Sequence, residues 1–538
     1  MLKKFEKIFK STLDSPVGVD NRIEWKSGAY HMKGNGPTIR KLIRSKAQGT
    51  LIVLLVSILT MSFLLFSSNN EIDKNTSVEE FTSHLNRQIY SLSDRYGIPG
   101  GAIAIVRDGK VVWSDTFGYA DIEEEKEITE ATRFRVESIS KSVTAWGVMK
   151  LVQDGMIDLD EPITKYIRNW SFPDSRFSYD TITTRHLLTH TSGMPLGDFM
   201  DRYPPGKKVP SLEESLGTKA IPVDEPGKKF TYSNTGYNLL ELLVEEVTGK
   251  DFDVYMKEKV LRPLGMENST YNWEDIPEGL VPTGYDIGGN PVESYVYPEK
   301  ASGGMFATLE DVAAFMIAGM GETFSRDNNI LTPRSLDQLY ITAVESIGVY
   351  GLVFDGYGMG YYLEDLSNGQ SSVANGGQGG GVMTYFHYVP ETGEGIVILT
   401  NSQRSWPFFG RIIDDWARWN GYEGAGFGKI PMAESVLWIF IAILAIVFLI
   451  NHYLIIRGLA SGRSRFSMSG PLAAKRRIYK IVISVILLIG LLWAANQDYL
   501  FITAVFPIAS GWFGVSAFLL AIGQLVSAFL FKDQPGEK

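Results

Sequence analysis

The chain has 538 residues, 51 Lys and Arg against 61 Asp and Glu, a formal net charge of −10 at pH 7 and no cysteine. The lack of thiols excludes disulfides, lipid attachment through cysteine and thiolate metal centres. The length would serve two or three domains, or one large domain with membrane segments, and the distribution of apolar residues favours the second.

In chain order, MLKKFEKIFKSTL sets Leu2, Phe5, Phe9 and Leu13 on one apolar stripe beside lysines. An interfacial helix and a frayed terminus both fit that pattern. Residues 47–70 carry no charge and are long enough to cross a bilayer, so a first transmembrane helix is expected at 49–68. It lacks an Ala-x-Ala-like cleavage site and reads as an uncleaved anchor. Three further apolar runs predict transmembrane helices at 435–456, 480–497 and 511–531. Residues 33–46 hold five basic residues and no acid, and 457–480 hold seven and no acid, which places both in the cytoplasm. The expected layout is therefore a cytoplasmic segment 1–48, an extracytoplasmic domain 69–434, a basic cytoplasmic loop 457–479, a short outer loop 498–510 and a cytoplasmic tail 532–538. The outer segment, with 31 basic and 54 acidic residues, is strongly acidic.

Within that segment, VEEFTSHLNRQIYSLSDRY at 78–96 predicts a helix. GGAIAIVRDGKVVWSDTFGYAD then alternates as two strands around the turn Asp108-Gly109. Helical periodicity returns at 138–153, 234–248 and 309–320, and 382–400 reads as a closing hairpin. Strands at both ends with helices between, and no linker or internal repeat, predict one α/β or α+β domain.

The pattern Ser-x-x-Lys, weak by itself, occurs once, at Ser138 and Lys141. On a helix starting near Ser138 the two share a face and can meet. A lysine in a partly desolvated pocket has a lowered pKa and can take the serine proton, and the positive helix end favours the resulting alkoxide. A second element, FTYSNTGYNLLELLVEEVTG, puts Tyr232 and Asn234 on the same side of an extended turn before an amphipathic helix. A tyrosine beside an ammonium can act as a general acid or base, and an asparagine can hold the lysine and bind a substrate amide.

The succession FRVESISKS, ITTRHLLTHTSGMP, FTYSNTGYNLLELLVEEVTG, VLRPLGMENST and ASGGMFATLEDVAAFM resembles the serine β-lactamase and penicillin-binding-protein-like superfamily. The likeness is nearest its class C β-lactamase-like branch of D,D-peptidases and esterases and covers roughly 80–405. It implies an α+β fold in which an antiparallel sheet flanked by helices adjoins an all-helical subdomain, here with about four transmembrane helices. It also implies Ser138 as the acylated nucleophile, Lys141 as its partner, and Tyr232 as general base with Asn234 beside it.

One motif departs from the family. Where the family has Lys or His, then any residue, then Gly, this chain has VANGGQGGGVMTYF, with Asn375 in the place of the cation. Asn375, Gly376 and Gly377 are expected at the substrate, with the glycines leaving the backbone bare. The N–H groups of Ser138 and Gln378 are expected to form the oxyanion hole. Loss of the cation is expected to weaken binding of a substrate carboxylate, with Arg404 the first substitute.

Other chemistries find less support. His186 and His190 have the i, i+4 spacing of a zinc helix, but the following glutamate and a third ligand are missing, so no metal is expected. The Gly-rich run 376–381 lacks the Gly-Lys-Ser/Thr ending of a phosphate loop, and no Gly-x-Ser-x-Gly occurs. No cofactor and no nucleic-acid partner are expected. The combined reading is a membrane-anchored serine hydrolase acting outside the cytoplasm on an amide or ester, such as a peptidoglycan stem peptide or a D-amino-acid compound. A β-lactamase proper and a non-catalytic cell-wall or β-lactam sensor are the alternatives.

Overall fold

The computed structural model describes residues 72–197, 201–324, 330–462, 464–466, 475–496 and 501–532. The expected interfacial helix at the N-terminus and the span 49–68 lie outside them. The first described helix, α1 (Val78–Tyr96), opens with a capping box from Ser77 and Glu80 and closes on Gly97 in the left-handed conformation. The expected pair of strands follows as β1 (Gly100–Arg107) and β2 (Lys110–Asp121), turned through Asp108 and Gly109 at φ 50° and 66°. A short β3 (Lys126–Glu127) extends them.

The chain then leaves the sheet for helices, among them α2 (Ile139–Gln153), α3 (Asn234–Thr248) and α4 (Leu309–Ala318). It returns through β4 (Gly356–Tyr357), β5 (Tyr362–Asp365), β6 (Ser371–Gly379), β7 (Val382–Val389) and β8 (Glu394–Thr400), and ends the domain with α5 (Trp406–Trp419). The eight strands form one antiparallel sheet in the order β3-β2-β1-β8-β7-β6-β5-β4. The first hairpin thus closes against the last, Ile103 facing Ile398 in register.

Both faces of the sheet are covered, so its central strands read as near-continuous apolar runs. In β1, Ala102, Ala104 and Val106 join one core with α2, α3 and α4, while Ile103 and Ile105 join the other with α1 and α5. Across the second core Phe81 of α1 stacks on Trp419 of α5, ring centroids 4.2 Å apart. Helix α2 lies wholly inside the first core and buries nearly every side chain, Lys141 included. The fold places the N-terminal end of α2 beside the end of β6.

Beyond α5 the chain runs into α6 (Lys429–Ala460), α7 (Lys475–Ala495), the short α8 (Phe501–Val505) and α9 (Ala509–Ala528). Three segments, Gly426–Ala460, Arg477–Ala495 and Ala509–Ala528, are long and apolar enough to cross a membrane. They overlap the three expected C-terminal spans. The first begins earlier than 435, because its opening turns are anchored in the domain: Ile430 and Pro431 are buried, and the buried Glu434 carboxylate accepts the Tyr96 hydroxyl at 2.8 Å. The segment 498–510, expected as a plain loop, contains α8.

Candidate active site

Ser138 precedes the first turn of α2 but does not spend its hydroxyl on capping that helix. The residue before it, Glu137, sits at φ 50°, a left-handed conformation that costs a non-glycine residue about 1 kcal/mol or more. Its carboxylate is fixed by the hydroxyls of Tyr295 at 2.9 Å and Tyr297 at 3.2 Å, with Arg135 Nε 3.7 Å away. Burial pushes the Glu137 carboxyl up, opposed chiefly by the Arg135 guanidinium. This buried network holds the sharp bend that presents Ser138.

Lys141, one turn along α2, is fully buried. Its Nζ lies 3.1 Å from Ser138 Oγ and 2.6 Å from the carbonyl oxygen of Ser302. Burial pushes its ammonium down to about 7, with the Glu137 carboxylate opposing. Near neutral pH, therefore, a large share of the amine is unprotonated and able to take a proton from the hydroxyl it touches. Ser302 is placed with care. The Glu241 carboxylate of α3 accepts the N–H groups of Lys300 at 2.7 Å and Ala301 at 2.8 Å, and the Thr144 hydroxyl of α2 donates to the Ala301 carbonyl at 2.9 Å.

Tyr232 and Asn234 flank Ser233, the N-cap of α3, whose Oγ accepts the Gly236 N–H at 2.8 Å and donates to the Pro195 carbonyl at 2.6 Å. This cap pins the turn, and the Tyr232 ring centroid comes within 5.1 Å of Lys141 Nζ. Ser138, Lys141, Tyr232 and Asn234 are thus brought to one place. The lysine also has a backbone partner, the Ser302 carbonyl, that the sequence did not suggest.

His190 supports the tyrosine from behind. It is buried, its Nδ1 accepts the Ser233 N–H at 3.1 Å, and its ring centroid lies 4.3 Å from that of Tyr232. Burial and the nearby Lys141 hold it well below the usual imidazole range, so it stays neutral. His186 is engaged elsewhere, Thr183 donating its N–H to the imidazole Nδ1 at 3.4 Å. The two rings serve different segments.

The third motif differs from expectation at two positions. Asn375, expected at the substrate, is buried and turned into the domain. Its Nδ2 donates to Ser142 Oγ at 2.7 Å, the Gly360 carbonyl at 3.0 Å and the Ser138 carbonyl at 3.3 Å, and its Oδ1 accepts the Gly376 N–H at 2.8 Å. It ties β6 to α2 and has no face toward the cleft. Gly377 is bare for a similar reason: a Cβ there would clash with the carbonyl oxygen of Val136, so the strand packs against the bend before Ser138. Gly376 and Gln378 do line the cleft, and the Gln378 side chain accepts the Trp406 indole N–H at 3.0 Å.

Ser138, Tyr232, Asn234, Gly376 and Gln378 open on a cleft of about 510 Å³. Two cations line it, Arg202 and Lys429. Arg404 does not; its Nε donates to the Ile287 carbonyl at 2.7 Å, directing the guanidinium to the 286–289 turn. Sequence reasoning missed Arg202, Ser302 and Glu241, each of which acts across long chain separations that no local pattern encodes.

A family model described as Beta-lactamase matches residues 85–416, more than half of the chain. The chain belongs to this beta-lactamase family. Among curated relatives, Protein flp of Staphylococcus aureus (strain MW2) is 32% identical over 206 residues, 37% of this chain and 40% of that protein. Penicillin-binding protein 4* of Bacillus subtilis (strain 168) is 28% identical over 230 residues, 40% of this chain and 48% of that protein. The match thus spans less than half the length of either relative. Among solved structures, the octameric penicillin-binding protein homologue from Pyrococcus abyssi superposes with a TM-score of 0.54 at 29% identity, covering 60% of this chain and 74% of that one. The beta-lactamase fold is therefore shared, and the expected α+β architecture holds. Members of the family are serine hydrolases.

Proposed function

We propose that this protein is a membrane-anchored serine hydrolase that acylates Ser138 with an amide or ester outside the cytoplasm. The observation that carries the reading is the contact of 3.1 Å between Ser138 Oγ and the buried, pKa-lowered Lys141 at the floor of a large cleft. In this mechanism Lys141 takes the Ser138 proton as Oγ bonds to the carbonyl carbon. The N–H groups of Ser138 and Gln378 hold the oxyanion. The Lys141 ammonium passes this proton through Tyr232 to the departing nitrogen or oxygen as its bond to the acyl carbon breaks, leaving acyl-Ser138 and neutral Lys141. Water, deprotonated by the same groups, then attacks the acyl carbon, and its proton returns to Ser138 Oγ as the Oγ–acyl bond breaks and the acid leaves.

Incubation of the full-length protein with small activated esters, followed by intact mass measurement, tests the reading. An acyl adduct on wild type that is absent from Ser138→Ala is expected. An equal adduct on both would move the nucleophile elsewhere. Binding of a cell-wall fragment with no adduct and no turnover from any ester would replace the enzyme by a sensor.

The location outside the cytoplasm rests on the basic segments 33–46 and 457–480 and on the apolar helices. A reporter active only outside the cytoplasm should work when fused after Gly424 and fail when fused near residue 470. The opposite result would invert the topology.

A further inference from the structure

The cleft that begins at Ser138 does not end inside the hydrolase domain. Its far wall is built from Ile430 and Ala433 in the opening turns of α6, and from Ile502, Val505 and Phe506 at α8. These residues belong to the C-terminal apolar elements, not to the beta-lactamase domain. Moreover, Ala433 is followed on α6 by Val436 and Phe440, three and seven residues on, and these share its face of the helix. Val436 is 45% exposed and Phe440 55%, so the apolar wall continues as an open stripe along a helix long enough to span a bilayer. The lining is polar at Ser138, Asn234, Gln378 and Arg202 and apolar at Val349, Leu352 and Phe354, and Phe354 packs against Phe427, just before α6, with ring centroids 6.0 Å apart.

We propose that the cleft receives the alkyl chain of a membrane-resident ester or amide, with the scissile carbonyl at Ser138 and the chain lying along Ala433 toward the bilayer. The inference deepens the hydrolase reading above and rests on it. A soluble peptide substrate would leave this wall wet, at a cost proportional to its apolar area. A lipid chain covers it and reaches the domain without leaving the apolar phase. The reaction needs no co-reactant but water: Ser138 Oγ displaces the alcohol or amine from the acyl carbon, and water then releases the acid.

The test uses the full-length protein in detergent and two series of soluble esters, p-nitrophenyl alkanoates with the chain on the acyl side and alkyl acetates with the chain on the alcohol side. Each buried methylene contributes about fourfold in binding. An eight-carbon chain should therefore raise kcat/KM over a four-carbon chain by at least about tenfold in one series. Ala433→Trp, which fills the groove, should reduce that long-to-short ratio by about tenfold, and Val505→Trp should do the same. A ratio near one in both series, with short esters still turned over, overturns the lipid proposal and leaves the hydrolase reading intact. A wild-type chain-length preference that both variants leave unchanged also overturns it, because the chain would then lie elsewhere. If neither short nor long esters acylate Ser138, the hydrolase reading itself falls.

Discussion

Lys141 Nζ stands between two oxygens, Ser138 Oγ at 3.1 Å and the Ser302 carbonyl at 2.6 Å, and the residue is fully buried. The carbonyl orients the amine, and burial brings its pKa to about 7. Protonated, the amine has no lone pair for the serine. Acylation should therefore rise with pH through about 7 and level off above, following the neutral fraction of Lys141. The measurement is the rate of acylation of Ser138 by a non-ionising ester between pH 5 and 9. A rate that falls across this range would mean that the protonated lysine is the active form. Lys141→Arg, which cannot lose its proton, should lower the rate by at least about a hundredfold at every pH in the range.

The same burial has a stability consequence. Unfolded, Lys141 keeps its usual value of 10.5; folded, it titrates near 7, so the unfolded chain binds the proton more readily between these values. Stability from this group therefore rises with pH from about 7 to 10.5 and is lowest at and below 7. The full penalty is on the order of 5 kcal/mol. Lys141→Met removes it but leaves the Ser302 carbonyl unpaired, at about 1–3 kcal/mol. The variant should be inactive yet more stable than wild type by on the order of 2–4 kcal/mol at pH 6, an advantage lost by pH 9.5. Thermal unfolding at the two pH values checks this, and a variant that is less stable at pH 6 would contradict it.

Much of this site could be read locally. Ser138 and Lys141 are one helical turn apart, and Tyr232 and Asn234 are two residues apart, so their mutual placement follows from backbone geometry alone. The Asp108-Gly109 turn and the helices 78–96 and 234–248 were legible for the same reason, as was the hairpin 382–400. Arg202 and Ser302 were not, because their positions depend on how α2, α3 and the intervening loops pack. Asn375 shows a different limit. The motif located its strand, but a side chain at that position can face the cleft or the helix, and the Ser142 hydroxyl with the Gly360 carbonyl drew the amide inward. Nothing in a local pattern could announce that the opening turns of α6 would line the cleft.

The inward orientation of Asn375 changes what its substitution should do. Asn375→Ala removes the donor to Ser142 Oγ and the acceptor for the Gly376 N–H, both in the core. A loss of about 1–3 kcal/mol in stability is expected. Because the side chain does not face the cleft, acylation by a neutral ester and by its carboxylated analogue should fall in equal proportion. Rates for the pair of substrates in wild type and variant decide the point. A change of several-fold in their ratio would place Asn375 at the substrate after all.

Selectivity for a substrate carboxylate should instead follow Arg202. Its guanidinium packs over the Tyr295 ring at 4.8 Å and beside Gly380, close in sequence to Gln378 at the reactive end of the cleft. Its Nε is buried with no hydrogen-bond partner among the described residues. Lys429, the other cation in the cleft, stands at the start of α6 beside the Glu364 carboxyl, which burial pushes up to about 7, whereas Arg202 stands beside Gly380 near Gln378. A hydrogen bond from an ionised donor to a carboxylate contributes about 1.5–3 kcal/mol, against about 1 for a neutral one. Arg202→Gln keeps a donor and removes the charge. Wild type should therefore be acylated faster by an ester bearing a free carboxylate than by its neutral match, and Arg202→Gln should reduce that preference by about tenfold, with Lys429→Gln changing it less. Since Arg202 is partly exposed, the preference should also shrink as salt is raised. If wild type prefers the neutral ester, or if Arg202→Gln leaves the ratio unchanged, the guanidinium is held over the Tyr295 ring for structure alone, and the cleft selects its substrates by shape and apolar contact.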